Sequence, residues 1–169
     1  TTAAPVNRMS ARALVIGNGA YKQLGTLANP RRDAMDMAVK LRSFGIEVDL
    51  VLDADRNALV KALADHNRKA TALDVNILYY AGHGLQVGGI NYIAPVDMLA
   101  DGISSGYVKL NGVALNDALD YLPARTRLVF LDACRDNPFK RAFRLSANGL
   151  ARSDGPLPSG MLIAYATKP

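Results

Sequence analysis

The apolar residues of this chain are grouped into short runs that predict buried strands. Short apolar runs typical of strands covered on both faces stand at "RALVIGN" (12–18), "VNILYYAG" (75–82), "RLVFLD" (127–132) and "SGMLIAYAT" (159–167). A further strand is predicted at "GIEVDLVLD" (45–53), where apolar and acidic residues alternate. "LQVGGINYIAPVD" (85–97) has Gly-Gly between two β-prone runs and predicts a small hairpin.

Between these runs the apolar residues recur at helical spacing. One helix is predicted from Pro30 to just before Gly45, a second in "RNALVKALADHNRKATAL" (56–73) with Asp55 as its N-cap, and a third near "NGVALNDALDYL" (111–122). Strands and helices that alternate in this way predict an α/β fold, with a mainly parallel sheet and helices on both faces. The prediction is one domain over residues 12–169, preceded by an N-terminal extension (1–11).

Composition excludes several classes of protein. The chain has 169 residues, one cysteine and two histidines, so it cannot form an internal disulfide and holds too few ligands for an ordinary zinc site. No apolar run approaches the roughly 20 residues that cross a bilayer, and no membrane span is expected. The net charge is +5, but the basic residues are scattered, which argues against nucleic-acid binding. We therefore expect neither a metal site nor a nucleic-acid partner.

Two chemically unusual residues follow predicted strands, and they can meet if these strands are neighbours in the sheet. His83 comes after the strand ending in "YYAG", and Cys134 after the strand ending in "LD". Ligands of open parallel sheets sit at the carboxyl ends of the strands, and adjacent strands are about 5 Å apart. A thiol is mostly protonated at neutral pH, so an adjacent imidazole would activate it as a nucleophile. The backbone N–H groups of Gly84 and Cys134 are candidates for an oxyanion hole.

The glycine-rich stretch "GNGAYKQLG" (17–25) raises a nucleotide-binding alternative. A dinucleotide fingerprint requires a third glycine where this chain has Lys22, and helical spacing begins only near Pro30. This interpretation, a small-molecule-binding doubly wound domain, is therefore disfavoured.

Six blocks of the sequence, in order, resemble the caspase and metacaspase superfamily of cysteine peptidases, and in particular the bacterial caspase-like proteins called orthocaspases. They are "RALVIGNGAY", "NPRRDAMDMAVKLRSFGIEV", "YYAGHG", "NYIAPVD", "LDACRDNPF" and "GMLIAYAT". The cysteine follows the histidine by about 50 residues, as in caspases. The resemblance implies a caspase-like three-layer sandwich, with His83 as general base or imidazolium and Cys134 as nucleophile of peptide-bond hydrolysis.

The resemblance also implies a substrate preference. Asp132 stands where caspases have glutamine, as in metacaspases, and Asp33 matches the other acidic residue of their first-subsite pocket. Two carboxylates favour a cationic side chain, so peptide and protein substrates cleaved after Arg or Lys are expected. In the alternative interpretation, Asp33 only stabilises the N-terminus of its helix and Asp132 only orients a loop.

The region between Cys134 and the last predicted strand is a basic linker, at about 135–159. It contains Arg135, Lys140, Arg141, Arg144 and Arg152, so an enzyme directed at Arg or Lys could cleave itself there. Relatives continue beyond the last strand, and the rest of the small-subunit region is expected to be missing or supplied as a separate fragment. No organic cofactor is implied by the resemblance. Metacaspases frequently depend on calcium, but this sequence has no EF-hand-like acidic loop, so calcium activation stays open.

Two further questions stay open. Caspase-like domains without activity serve as binding scaffolds, and this is the rival function, although a scaffold has no need for the histidine and cysteine at the two strand ends. The small-residue start "TTAAPVNRMS" fits either the mature end left by removal of a signal peptide or a start chosen for expression. Because bacterial relatives often carry secretion signals, an extracytoplasmic location is slightly favoured.

Overall fold

A computed structural model describes residues 9–101, 103–134 and 159–166, and only the backbone of Cys134. The predicted N-terminal extension and the basic linker lie largely outside these residues, including all five linker cations named above. In chain order the elements are β1 (Ala11–Gly17), α1 (Pro30–Ser43), β2 (Glu47–Leu52), α2 (Arg56–Lys69), β3 (Val75–Val87), β4 (Ile90–Ile93), α3 (Ser105–Asn111), β5 (Val113–Ala114), α4 (Leu115–Asp120), β6 (Thr126–Cys134) and β7 (Met161–Tyr165).

The sheet is mainly parallel, as predicted. Within the described residues its parallel part has the order β2-β1-β3-β6-β7, and every neighbouring pair in it is parallel. The distal half of β3 pairs with β4 in an antiparallel hairpin, and β4 pairs with β5. The Gly88-Gly89 turn of this hairpin has positive φ at both residues, which confirms the hairpin predicted from the sequence.

Helices cover both faces of the sheet. On one face Ala34 and Ala38 of α1 pack against Val15, Tyr79 and Ala81. The other face is covered by α2 and α4, whose apolar residues form one cluster with the alternate residues of the strands; this cluster includes Leu14, Ile16, Leu59, Leu63, Leu78, Ala118, Leu119 and Leu131. The predicted three-layer α/β sandwich is thus confirmed.

Local sequence determines how the helices begin. Pro30 is in the first turn of α1, where its missing N–H costs nothing, and the Asp55 carboxylate accepts a 2.8 Å hydrogen bond from the Ala58 N–H at the start of α2. Gly17 ends β1 directly under α1, where an added Cβ would lie 2.6 Å from the Ala34 Cβ. The first turn of α1, with Asp33, therefore lies close to the carboxyl end of the sheet.

Two boundaries differ from the sequence predictions. The strand predicted at 75–82 was expected to end at Gly82. The observed β3 continues to Val87, because β4 supplies new pairing partners beyond the end of β1. The helix predicted near 111–122 is wrong in extent: residues 105–120 form α3, the short β5 and α4. The two short helices follow each other so closely in sequence that hydrophobic periodicity alone does not show where one ends and the next begins.

Candidate active site

His83 and Cys134 occupy neighbouring positions at the end of the parallel sheet. Strands β3 and β6 are in register from Val75↔Thr126 to His83↔Cys134, so the two backbones are adjacent at the last pair. Paired strands lie about 4.8 Å apart. The two strands are neighbours, as a His83–Cys134 dyad requires, and both residues lie in the strands rather than beyond them. The side chain of Cys134 lies outside what the structure describes.

The His83 imidazole is buried and held at one nitrogen. Its Nε2 is 3.1 Å from the carbonyl oxygen of Gly25, while its buried Nδ1 has no hydrogen-bond partner among the described residues. A carbonyl oxygen can only accept a hydrogen bond, so the proton of the neutral ring is on Nε2. This tautomer leaves the Nδ1 lone pair free to accept a proton.

Burial also determines the charge of the ring. Burial lowers the pKa of His83 below its ordinary value, although backbone hydrogen bonds at Gly25 and Leu24 act in the opposite direction. The ring is therefore neutral at neutral pH. A neutral imidazole with a free Nδ1 is equipped to act as a general base.

The backbone of His83 is held by two buried tyrosine hydroxyl groups. The His83 N–H donates to the Tyr21 hydroxyl over 2.8 Å, and the Tyr80 hydroxyl donates to the His83 carbonyl oxygen over 2.6 Å. Both hydroxyl groups are close to Gly82. A Cβ added at Gly82 would lie 2.5 Å from the Tyr80 hydroxyl oxygen and 2.7 Å from that of Tyr21.

Gly82→Ala should therefore damage both stability and the position of His83. The new methyl group has to displace one or both hydroxyl groups, and we expect the free energy of unfolding to fall by about 1 to 3 kcal/mol. Thermal and denaturant unfolding measure this loss. Gly106→Ala is the matched control, because its Cβ would meet only the Ser104 Oγ at 3.6 Å and alanine favours the helix. Equal stability of the Gly82→Ala protein and the wild type would contradict the steric argument.

Asp33 and Asp132, the two predicted pocket residues, both act on Tyr79. Asp132 of β6 is the register partner of Ala81 in β3, and Ala81 and Tyr79 both lie on the sheet face that α1 covers. Asp33 is in the first turn of α1. Burial raises the pKa of Tyr79 well above its usual range, and the charges of Asp132 and Asp33 raise it further, as does a hydrogen bond with Asp132. Both carboxylates therefore lie near Tyr79, at the carboxyl end of the sheet. Among the described residues, neither of them forms an ion pair.

Gly84, the other predicted oxyanion residue, follows His83 in β3 and is paired with Ile93 of β4. It is therefore next to the register pair His83↔Cys134, at the same end of the sheet. No group of three or more His, Cys, Asp or Glu side chains that could hold a metal occurs in the described parts of the chain. Within the same residues, no helix has the length and apolar character to cross a membrane.

The glycine-rich loop after β1 anchors the site. The Asn18 side chain, fully buried, accepts from the Ala54 N–H over 2.9 Å and donates to the Ala94 carbonyl oxygen over 3.2 Å. Asp53 accepts from the N–H groups of Gly19 and Ala20 over 2.9 and 2.8 Å. These bonds fix the loop that carries Gly25. The start of this loop is thus held by buried hydrogen bonds to neighbouring segments.

Sequence reasoning missed Gly25, Tyr21 and Tyr79. Gly25 contributes a backbone carbonyl, which every residue possesses, so no side-chain pattern could reveal it. Tyr21 and Tyr79 have aromatic side chains that predict only burial. The one usable signal was the stretch "GNGAY", whose small and polar residues at a strand end required an explanation once the nucleotide interpretation failed.

Comparison with known proteins places the chain in a family. A family model described as the caspase domain matches residues 10–169. Among solved structures, the chain is similar to the protein GSU0716 from Geobacter sulfurreducens, with 24% identity and a TM-score of 0.56 over 76% of this chain and 52% of that chain. It is also similar to the Drosophila initiator caspase Dronc, with 12% identity and a TM-score of 0.62 over 94% of this chain and 56% of that chain.

Among curated proteins, none matches the chain. The chain spans only about half the length of the two solved structures, and at these identities they show the fold alone. The family model, in contrast, extends over nearly all of the sequence. The chain therefore belongs to the caspase domain family of cysteine peptidases.

Proposed function

We propose that the chain is the catalytic part of a cysteine endopeptidase that cleaves peptide bonds after Arg or Lys, with Cys134 as nucleophile and His83 as general base. One observation carries the proposal: His83, neutral and with its Nδ1 lone pair free, is the register partner of Cys134. The substrates are peptides or proteins, and the Gly25 carbonyl acts by fixing the tautomer of the base.

The reaction proceeds in two half-reactions. His83 Nδ1 takes the proton of the Cys134 thiol, and the thiolate sulfur attacks the carbonyl carbon of the scissile bond. The oxygen of the tetrahedral intermediate carries the negative charge and is stabilised by the N–H groups of Gly84 and Cys134. The proton on Nδ1 then passes to the leaving amine as the C–N bond breaks, which leaves a thioester on Cys134.

Water completes the cycle. His83 Nδ1 removes a proton from a water molecule, whose oxygen attacks the thioester carbonyl carbon. The second tetrahedral intermediate collapses with release of the new carboxyl group, and the sulfur takes the proton back from Nδ1. No cofactor takes part in either half-reaction, and both protons move through the same nitrogen.

The preference for Arg or Lys rests on Asp33 and Asp132. Both carboxylates lie near Tyr79, and among the described residues neither has a cationic partner. A substrate guanidinium or ammonium group would supply the missing cation through charge-assisted hydrogen bonds. Because the chain spans about half of its structural relatives, remaining parts of the binding groove would come from a further segment or a separate fragment.

The proposal is tested with the full-length protein, in wild-type and Cys134→Ala forms, on matched fluorogenic peptides ending in Arg, Lys or Asp. We expect cleavage after Arg or Lys that disappears in the Cys134→Ala protein, with calcium present and absent as two arms. Cleavage after Asp would keep the nucleophile and overturn the acidic pocket. A folded wild type that cleaves none of them would favour the binding scaffold. Mass spectrometry of the termini of the same two proteins tests self-cleavage in the linker, which requires cuts in the wild type only.

A further inference from the structure

The hydrogen-bond ladder between β3 and β4 is interrupted at His83. Leu85↔Tyr92 and Gly84↔Ile93 are consecutive antiparallel pairs, and the next pair along the strands is His83 with Ala94. The Ala94 N–H donates to the His83 carbonyl oxygen over 3.1 Å, as the ladder requires. Antiparallel pairing would also require the His83 N–H to donate to the Ala94 carbonyl oxygen.

A tyrosine hydroxyl group replaces that second bond. The His83 N–H donates to the Tyr21 hydroxyl oxygen over 2.8 Å, and the same hydroxyl donates to the Ala94 carbonyl oxygen over 3.2 Å. A hydroxyl group has one proton and two lone pairs, so it can accept from one strand and donate to the other. Tyr21 thus bridges β3 and β4 from the loop after β1, at the residue that carries the proposed base.

Tyr21 also contacts the imidazole itself. Its ring centroid is 4.5 Å from that of His83, and the two ring planes are tilted by 55°. The other side of the imidazole is tied through Nε2 to the Gly25 carbonyl oxygen, in the same loop as Tyr21. One loop therefore holds His83 at three places: the backbone N–H, the ring face and Nε2.

The environment makes this contact costly to lose. Tyr21 is 4% exposed and Tyr80, whose hydroxyl oxygen is 3.1 Å from that of Tyr21, is fully buried. Without the Tyr21 hydroxyl, the His83 N–H would remain buried without a partner unless β3 and β4 closed up to restore the direct bond. Either response changes the place from which the imidazole extends.

We propose that Tyr21 is a positioning residue for His83. The Tyr21 hydroxyl group, inserted between β3 and β4, and the Tyr21 ring together set the direction of the imidazole toward position 134. As far as catalysis is concerned, this inference rests on the proposed function. The contacts themselves do not depend on it.

Tyr21→Phe separates the two contributions, because it keeps the ring and removes the hydroxyl group. In the full-length enzyme we expect kcat to fall by about 10- to 100-fold with KM nearly unchanged, as for a displaced catalytic group. We also expect the 15N resonances of the His83 ring to move from their wild-type values. His66 is the only other histidine of this sequence, and a His83→Gln spectrum identifies the His83 signals because they disappear from it.

Tyr107→Phe is the matched control. The Tyr107 hydroxyl also accepts a backbone N–H, that of Leu99 over 3.0 Å, and the residue packs against the same apolar cluster as Tyr21. It has no contact with His83 among those described. Loss of the Tyr107 hydroxyl group should leave kcat and the His83 resonances unchanged.

Three results bear on the inference. If Tyr21→Phe matches Tyr107→Phe in both kcat and ring resonances, Tyr21 does not position His83. If the wild type hydrolyses nothing, the proposed function fails, and the ring resonances alone decide the inference. If Tyr21→Phe does not fold, the wild type decides: a slowly exchanging Tyr21 hydroxyl proton close to the His83 amide proton is expected, and its absence would overturn the bridge.

Discussion

His83→Gln should lower kcat/KM for an Arg peptide by about 100- to 10,000-fold, the usual contribution of general acid–base catalysis. Glutamine retains a polar side chain but cannot take a proton at neutral pH. An ordinary thiol is largely protonated at neutral pH, so removal of the base costs both the thiolate nucleophile and the proton donor for the leaving amine. Steady-state hydrolysis by the full-length protein measures the effect.

The pH dependence of kcat/KM should follow the protonation of His83. The pKa of His83 is lowered by burial, so the active neutral form prevails at neutral pH and is lost as the pH falls through that lowered pKa. The acid limb of kcat/KM in the wild type should therefore lie below about pH 6.5, the ordinary value for histidine. A thiol–imidazole pair and a thiolate–imidazolium pair hold the same number of protons, so a variant of His83 is needed to assign the acid limb to this ring.

The other histidine provides the control for this prediction. His66 is fully buried, with Nδ1 2.9 Å from Asp49 and Nε2 2.8 Å from Asn76. His66→Gln makes the same chemical change in the core, so it should reduce stability and leave the acid limb in place. A His83→Gln protein that keeps kcat/KM within tenfold of the wild type, or the same acid limb, would exclude His83 as the base.

The carboxyl ends of β3 and β6 show why the main features of the site could be predicted from sequence. Both strands are buried runs, and the change from apolar to polar residues after each run marks where the sheet ends. Parallel strands end at the same edge, so His83 and Cys134 had to be close once the strands were neighbours. The resemblance added Asp33 and Asp132, whose spacing along the chain carries no such geometric signal.

The remainder of the site depends on the folded backbone. Gly25 acts through its carbonyl oxygen, and Tyr21 through a hydroxyl group that replaces a ladder bond. Neither contact leaves a pattern in the sequence, because both depend on where the loop after β1 crosses β3. The extension of β3 past His83 was missed for a related reason: it depends on pairing with β4, and a glycine-flanked histidine does not resemble a strand residue.

Asp132→Asn and Asp33→Asn should each reduce the selectivity for a charged substrate side chain. The clearest measure is the ratio of kcat/KM for an Arg peptide to that for the same peptide with citrulline, which has nearly the shape of arginine without its charge. Loss of one charge-assisted hydrogen bond is worth about 1.5 to 3 kcal/mol, so the ratio should fall by about 10- to 100-fold. Hydrolysis of the citrulline peptide itself should change little.

Asp36→Asn is the control for this experiment, because it removes the same charge from the exposed face of the same helix. Its ratio should match that of the wild type, apart from a weak long-range effect that salt screens. The two pocket variants also separate the two interpretations of Asp33. If Asp33 only stabilises the N-terminus of α1, Asp33→Asn lowers the melting temperature by an amount typical of a helix-dipole contact and leaves the ratio intact.

The double variant Asp33→Asn, Asp132→Asn then tests whether the carboxylates share one cation. The charges of both raise the pKa of Tyr79, so both lie near that side chain, and the double variant measures whether their effects are coupled. If one guanidinium group contacts both, the double variant should lose less selectivity than the product of the two single losses, because the second removal finds an already weakened contact. Independent, multiplicative losses would mean that Asp33 and Asp132 bind different parts of the substrate.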